Sequence, residues 1–177
     1  QECIGKAVEG FEAIVVHNTP DASISWIAKL RKFEVDMYKY DHMHSSPRFI
    51  LKSAYERVGG FNESITAGED YDFRNKLDFA GFKTGFIAAE ALHHGEPKSF
   101  WKHMVKYYQY GKDISAYNNA EHNSFKKESV SFFNIYLKNW RRLLKHPVRT
   151  FQLIFYTIAK YIAGVLGMII CLIKINK

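Results

Sequence analysis

The amino-acid sequence predicts a mixed α/β fold, with strands and helices interleaved along the first 100 residues and further helices after them. Short β-branched runs bounded by turn residues alternate there with longer segments in which apolar residues recur every three to four positions. Of the 177 residues, 47% are hydrophobic and 16% are aromatic. This composition is sufficient for one ordinary core and is not typical of a disordered protein. Because strands and helices alternate instead of forming separate blocks, we expect the α/β class.

The first predicted elements precede residue 62. The run "GFEAIVVHN" (10–18) is typical of a strand because its centre is β-branched. The segment "ASISWIAKLRKFEVDMYKY" (22–40) has helical spacing. That spacing places four apolar residues toward a core: Ile24, Ile27, Ala28 and Leu30. The stretch "RFILKSAYERVGGF" (48–61) fits a strand or a short helix and closes on a glycine turn.

Three more elements follow. The segment "GEDYDFRNKLDFAGF" (68–82) predicts a helix with Phe73, Leu77 and Ala80 toward the core. Acidic residues fill its first turn, where the helix dipole favours negative charge, and Gly81 is placed to end it. The run "KTGFIAAEALHH" (83–94) predicts a strand, and "SFWKHMVKYYQYGKDISAYN" (99–118) predicts a helix.

Positive charge is concentrated in the C-terminal part of the chain. Residues 1–100 contain 12 Lys and Arg against 15 Asp and Glu, whereas residues 101–177 contain 13 against 3. The basic residues lie beside aromatic and aliphatic ones, in "FWKHMVKYYQYGK" and "LKNWRRLLKHPVR". This pattern favours an anionic membrane surface over nucleic acid, for which no zinc, RNA-binding or helix-turn-helix signature is present. Two cysteines at opposite ends predict no disulfide framework.

The last predicted segment is strongly apolar. Residues 153–173 form a 21-residue run interrupted by Lys160, and the uncharged part from Tyr161 is 13 residues long. A bilayer crossing needs about 20 apolar residues, so the segment is a marginal span in which Lys160 would snorkel to the interface. A buried amphipathic helix and an in-plane anchor remain alternatives. Basic residues on both sides favour membrane contact without deciding orientation.

One stretch carries a recognisable motif. It begins with Gly59, Gly60, Phe61, Asn62 and Glu63, and continues with Glu69, Asp70, Asp72, Arg74, Gly81 and His94. Over residues 48–97 the order and spacing of these residues resemble the C-terminal half of the catalytic domain of family 2 glycosyltransferases. Asn62 replaces the commoner Asp of that family, and Phe73 replaces the commoner Leu.

The resemblance implies part of a GT-A, Rossmann-like fold that uses nucleotide-sugar donors. In the family, a donor-binding half with a metal-binding D-x-D motif precedes these residues, and this chain has no such half. The "DYD" at 70–72 follows "ITAGE" instead of a buried apolar strand, so it is interpreted as the helix start. We therefore expect the acceptor side of a split or truncated enzyme, inactive alone. A divalent cation, Mn or Mg, would be held mainly by the absent motif.

The resemblance also implies roles for the motif residues. Asp70 would be the general base of an inverting transfer. Four residues would contact or shape the substrate site: Glu69, Asp72, Gly59 and Gly60. Arg74 would join them, with Asp72 and Arg74 either behind the site or on the surface. His94 would ligate the cation or contact the diphosphate. The alternative is a purely structural role. Glu69, Asp70 and Asp72 would then only stabilise the first turn of the helix, and His93 and His94 would only form the polar end of a strand.

These expectations combine into one predicted organisation. Residues 1–100 would be the C-terminal part of the glycosyltransferase domain, 101–147 a basic aromatic helical region, and 148–177 a membrane-associated or transmembrane helix. The partners would be a nucleotide-sugar donor, a glycan or lipid-linked acceptor as in polysaccharide biosynthesis, and a membrane, but no nucleic acid. The catalytic part would lie on the cytoplasmic side. The alternative function is a non-catalytic membrane-associated binding module.

Overall fold

Three strands, eight α-helices and two short 3-10 helices (Asp36–Tyr38 and His42–His44) occur in the residues that the computed structural model describes, 1–119 and 125–175. The strands are β1 (Ala13–Pro20), β2 (Phe49–Ile50) and β3 (Thr84–His93). The helices within the first 100 residues are α1 (Glu2–Val8), α2 (Trp26–Val35), α3 (Lys52–Arg57) and α4 (Glu69–Phe79). The later helices are α5 (Phe100–Asn119), α6 (Phe125–Lys138), α7 (Trp140–Lys145) and α8 (Pro147–Ile175). The interleaved α/β prediction is therefore confirmed, whereas the GT-A assignment stays a prediction.

The sheet is small and mixed, with strand order β2-β1-β3. Strand β1 pairs in parallel with β3, from Ala13 beside Thr84 to Pro20 beside His93, and antiparallel with β2. Because β1 and β3 are parallel, their carboxyl ends meet at one edge of the sheet. The residues that follow these two strands therefore lie together at that edge.

Helix α2 begins later than its apolar spacing predicts. The helix starts at Trp26 because the Ser25 hydroxyl accepts a hydrogen bond from the Ala28 amide at 3.0 Å and caps the first turn. Ile24 therefore lies before the helix and is half-buried, while Ile27, Ala28 and Leu30 are buried as predicted. The ambiguous stretch 48–61 contains both predicted forms, a two-residue strand and then a short helix.

One core cluster packs helices against the start of the sheet. It contains Ala13 of β1, Ala54 of α3, and Phe73 and Leu77 of α4. The predicted inward positions of Phe73 and Leu77 are confirmed, since neither side chain is exposed. The predicted inward position of Ala80 is wrong, because α4 ends at Phe79 and Ala80 is its exposed C-cap. Gly81 follows with φ +79°, the left-handed conformation predicted for a helix end.

A second core cluster joins the C-terminal helices to the α/β part. Its buried residues are Ile27, Leu30, Phe33, Met37, Met104, Ile135, Leu153 and Tyr156. They come from α2 and the turn after it, and from α5, α6 and α8. The apolar segment predicted as a separate tail therefore supplies side chains to the same core as the α/β part.

Helices α5 and α8 lie in parallel with their backbones in contact. A Cβ added to Gly111 of α5 would lie 1.9 Å from the Gly164 carbonyl oxygen of α8. A Cβ added to Gly167 of α8 would lie 2.0 Å from the Tyr108 carbonyl oxygen of α5. Glycine at both positions therefore allows an approach that no side chain would permit.

Candidate functional site

The start of helix α4 holds the predicted base. Gly68 precedes the helix with φ +88°, Glu69 is exposed, and Asp70 is half-buried. The Asp70 Oδ1 accepts a hydrogen bond from the Tyr71 amide at 2.9 Å, and the Asp70 carbonyl accepts one from the Ser46 hydroxyl at 2.7 Å. A carboxylate in the first turn is favoured by the helix dipole. The fold therefore places Asp70 in the first turn of α4, where the residue is partly exposed to solvent.

Asp72 and Arg74 lie inside the domain, with 0% and 1% of their surface exposed. Asp72 forms an ion pair with Lys76 at 3.0 Å. Arg74 donates to the Met43 carbonyl and, at 2.7 Å, to Asn75 Oδ1. The surface location that the sequence left open for these two residues is excluded, and substrate contact stays a prediction. The bond from Arg74 to Met43 ties α4 to the segment that also carries Ser46.

The predicted glycine turn is confirmed in conformation. Gly59 and Gly60 have φ of +74° and +66°. A Cβ on Gly60 would lie 2.7 Å from the ring of Tyr55. Both the positive φ and the lack of room for a side chain therefore favour glycine here. The Phe61 ring lies 4.6 Å from the Phe73 ring, centroid to centroid. The turn is thereby packed against the helix that begins at Glu69.

His94 lies just beyond strand β3 and pairs with Asp21, just beyond β1. Their Nδ1 and Oδ2 atoms are 2.9 Å apart, and the His94 side chain is 72% exposed. Hydrogen bonds from the hydroxyl and amide of Ser23, and then from His94, lower the pKa of Asp21. A carboxylate on one ring nitrogen orients the other nitrogen outward, which is the arrangement around many metal-bound histidines. His94 therefore fits a single metal ligand through Nε2.

The neighbouring histidine takes part in a buried network instead. His93 Nδ1 lies 2.9 Å from Glu96 Oε1, and the second oxygen of Glu96 accepts from Arg31 Nε at 2.6 Å. Glu96 is buried, so this network anchors the chain after β3 to α2. Within the described residues, no three His, Cys, Asp or Glu side chains are placed to hold a metal ion together. Metal binding by His94 stays a prediction.

The topology places Asp70 and His94 toward the same edge of the sheet. Arg48 donates its amide to Ile14 of β1, and β2 runs antiparallel to β1. The chain before Arg48, including Ser46, therefore extends toward the carboxyl end of β1, where Asp21 and His94 lie. Because Ser46 donates to the Asp70 carbonyl, the start of α4 lies toward this end as well.

Sequence reasoning missed Asp21 and a polar cluster on the strands. The signal for Asp21 is an acidic residue directly after a strand and two positions before a serine, the pattern of a side-chain-capped turn. In the cluster, Glu90 of β3 accepts from Thr19 at 2.5 Å and from Lys39. These bonds, that of Lys39 first, lower the pKa of Glu90 to about 2. The parallel register of β1 and β3 brings Thr19 and Glu90 together, and Lys39 reaches Glu90 from the segment after α2.

The structure also contains a surface suited to a membrane. Within the described residues, one helix, Pro147–Ile173, is long and apolar enough to cross a bilayer by length and composition. Lys160, at the middle of this helix, is bound within the protein instead of snorkelling. Its Nζ lies 3.0 Å from Glu34 Oε1 of α2. Comparison of the chain with models of protein families, with curated proteins and with solved structures finds no match.

Proposed function

We propose that this chain forms the acceptor side of an inverting glycosyltransferase that acts at a membrane surface. The observation that carries the proposal is the folded form of the motif: a glycine turn, a helix with Glu69 and Asp70 in its first turn, and a strand that His94 directly follows. Asp70 and His94 come from distant parts of this motif and lie toward one edge of the sheet. This supports a shared site there.

The chemistry requires a base and a stabilised leaving group. The acceptor oxygen bonds to the anomeric carbon of the donor sugar as the bond from that carbon to the diphosphate oxygen breaks. Asp70 takes the acceptor proton, which makes the hydroxyl a competent nucleophile. A divalent cation bound there would neutralise charge on the departing diphosphate. His94, oriented by Asp21, would supply one ligand, and Glu69 on the exposed side of the helix start would orient the acceptor.

The partners follow from the same proposal. The donor is a nucleotide sugar held by a preceding half of the enzyme, and the acceptor is a glycan or a lipid-linked sugar. Membrane attachment through the C-terminal helices would bring the site to a lipid-linked acceptor. The catalytic part would face the cytoplasm, where nucleotide sugars are made available to enzymes of surface polysaccharide synthesis.

The test is Asp70→Asn in a full-length enzyme that includes the donor-binding half. This change keeps size and hydrogen bonding but removes basicity, so the rate of sugar transfer should fall about 10²- to 10⁴-fold. Donor affinity, measured by calorimetry, should stay unchanged because the base acts on the acceptor. The control is Glu56→Gln on α3, an exposed acid that pairs with Lys52. Near-normal turnover in the Asp70 variant would reject Asp70 as the base.

A second candidate function is a membrane-binding module without catalysis. The exposed apolar side of α8 favours it, because membrane binding through that surface needs no transfer chemistry. The sugar-transfer assay just described distinguishes the two functions. A full-length protein that binds membranes but transfers no sugar from any nucleotide-sugar donor would support the module.

A further inference from the structure

Helix α8 has two faces of different character. The inward face packs on the protein through Leu153 and Tyr156, and Lys160 lies on this face in its ion pair with Glu34. The outward face is apolar and exposed at helical spacing, with Phe151, Phe155, Ile158, Ile162, Val165 and Ile169 between 44% and 74% exposed. Lys160 is the single charged residue from 150 to 173. The outward face therefore carries no charge along more than six turns.

The contacts of α8 oppose a bilayer crossing. Its C-terminal half touches the backbone of α5 at Gly111 and Tyr108. This part of α5 is polar, with Gln109, Lys112 and Asp113, and Lys112 donates to Gln109 at 2.8 Å. A crossing α8 would carry these polar side chains into hydrocarbon or lose its contact with α5. Either outcome is costly, because charged side chains at the bilayer centre are strongly disfavoured.

Exposed aromatic and basic residues of the C-terminal helices match an anionic lipid surface. The Trp101 ring lies 5.4 Å from the Phe100 ring, which in turn lies 5.9 Å from the Phe155 ring of the outward face. Trp101 is 76% exposed, and an exposed tryptophan beside an apolar face is typical of a membrane interface. Exposed basic residues occur on the same set of helices: Lys102, Lys106, Lys138, Arg141, Lys145 and Arg149. Residues 101–177 contain only three acidic residues.

We propose that α8 lies in the plane of the membrane, with its outward face in the acyl and headgroup boundary of an anionic bilayer. The inward face stays on the protein, where Glu34 holds Lys160. The basic residues of α5, α6 and α7 contact lipid phosphates and add an attraction that salt screens. This inference rests on the membrane attachment proposed above, but it does not depend on sugar transfer.

The experiment uses the whole chain with an epitope tag after Lys177, synthesised in vitro in the presence of sealed vesicles. Flotation measures binding to vesicles of phosphatidylcholine alone and to vesicles with one third phosphatidylglycerol. Protease is then added outside the vesicles. An in-plane helix leaves the tag outside and degradable, whereas a spanning helix places it inside and protected until detergent is added. Alkaline carbonate should release the in-plane protein.

Two variants test the surface itself. Ile158→Glu combined with Ile162→Glu puts charge on the outward face, so binding to anionic vesicles should fall at least about tenfold. The control is Val8→Glu, an 84% exposed position on α1, which should bind like the wild type. Arg141→Glu combined with Lys145→Glu should weaken binding to anionic vesicles and remove most of its salt dependence, with binding to neutral vesicles little changed.

Each other outcome overturns the proposal in a recognisable way. A protected tag means that α8 spans the bilayer, so membrane attachment stands but the in-plane arrangement fails. Equal binding to neutral and anionic vesicles rejects the anionic partner. No binding to either vesicle, with a stable dimer in sedimentation, means that a second copy covers the outward face. None of these results changes the expected loss of transfer in Asp70→Asn, so the two proposals fail independently.

Discussion

Glu34 of α2 and Lys160 of α8 form a buried ion pair that joins two distant parts of the chain. Lys160 Nζ lies 3.0 Å from Glu34 Oε1, and the Tyr136 hydroxyl donates to the same oxygen at 2.7 Å. Burial alone would raise the pKa of Glu34. The charge of Lys160 and the bond from Tyr136 outweigh burial, so the pKa lies below its usual value. The carboxylate is therefore ionised at neutral pH and compensates the buried ammonium.

This pair predicts a large effect for Glu34→Gln, which leaves Lys160 buried without a compensating charge. Removal of one partner of a buried pair costs about 3–5 kcal/mol. We expect a loss of that order in the free energy of unfolding, measured by urea titration in mild detergent. The double variant Glu34→Leu, Lys160→Met removes both charges and should recover most of the loss.

The control for this prediction is an exposed pair in the same protein. Lys52 and Glu56 on α3 lie 3.6 Å apart with side chains 88% and 62% exposed. Because exposed pairs contribute little, Glu56→Gln should change the free energy of unfolding by less than about 1 kcal/mol. Equal effects of Glu34→Gln and Glu56→Gln would show that the Glu34 pair is not buried in solution.

At the scale of elements, packing depends on features that a helical pattern alone does not reveal. Helix α1 is too short to be predicted from its spacing, yet its Glu2 carboxylate accepts hydrogen bonds from the Ala88 and Ala89 amides of β3, at 3.0 and 3.2 Å. Helices α5 and α8 are each visible in sequence, but their glycine contacts become evident only when the two are side by side. Contacts between helices and strands are therefore decided by residues that no sequence pattern marks as important.

The contact between α5 and α8 predicts opposite effects for two glycine substitutions. Gly111→Ala would place a methyl group 1.9 Å from the Gly164 carbonyl oxygen, so the helices must separate. We expect a loss of about 1–3 kcal/mol, as for overpacked cores. Gly5→Ala on α1 meets no atom within 4 Å and should stabilise the protein by about 0.4–1 kcal/mol. Thermal unfolding of both variants checks this, and a stabilised Gly111→Ala would mean that the two helices are apart in solution.

At the scale of the whole molecule, the two parts of the chain differ in net charge but share one hydrophobic core cluster. The acidic excess lies before residue 101 and the basic excess after it. The second core cluster nevertheless combines Ile27 and Leu30 of the α/β part with Leu153 and Tyr156 of α8. Charge therefore sets which surface can approach an anionic membrane, while the shared core fixes that surface to the predicted catalytic part.

The shared core predicts that a chain ending at His146 will not fold normally. Such a chain loses Leu153 and Tyr156 and exposes apolar side chains of α2 and α5. We expect aggregation and rapid proteolysis, measured by size-exclusion chromatography and limited trypsin digestion. The control is removal of residues 174–177 only, which should leave both readouts unchanged. A soluble, protease-resistant chain of residues 1–146 would show that α8 is a dispensable appendage.

Sequence reasoning predicted much of the fold but less of the candidate site. It correctly predicted strand β1, helix α4, strand β3 and helix α5, and it placed Asp70 at a helix start and Gly59 and Gly60 in positive-φ turns. It did not predict the burial of Arg74 or the pairing of His94 with Asp21. The burial of Arg74 depends on how α4 packs against the segment that carries Met43. The second contact depends on the pairing of β1 with β3, because Asp21 is 73 positions from His94.

What the sequence alone determined about this protein is local: where strands and helices lie, where the chain turns, and where apolar and basic residues accumulate. Such features follow from periodicity and backbone preference within a few residues. Only the tertiary structure decided that Lys160 faces Glu34, 126 positions away, and that α8 buries one face and exposes the other. An apolar helix of this length has the same sequence pattern in a core, on a membrane or across one. Its surroundings decide among them, because the cost of burying a charge depends on the partner that folding supplies.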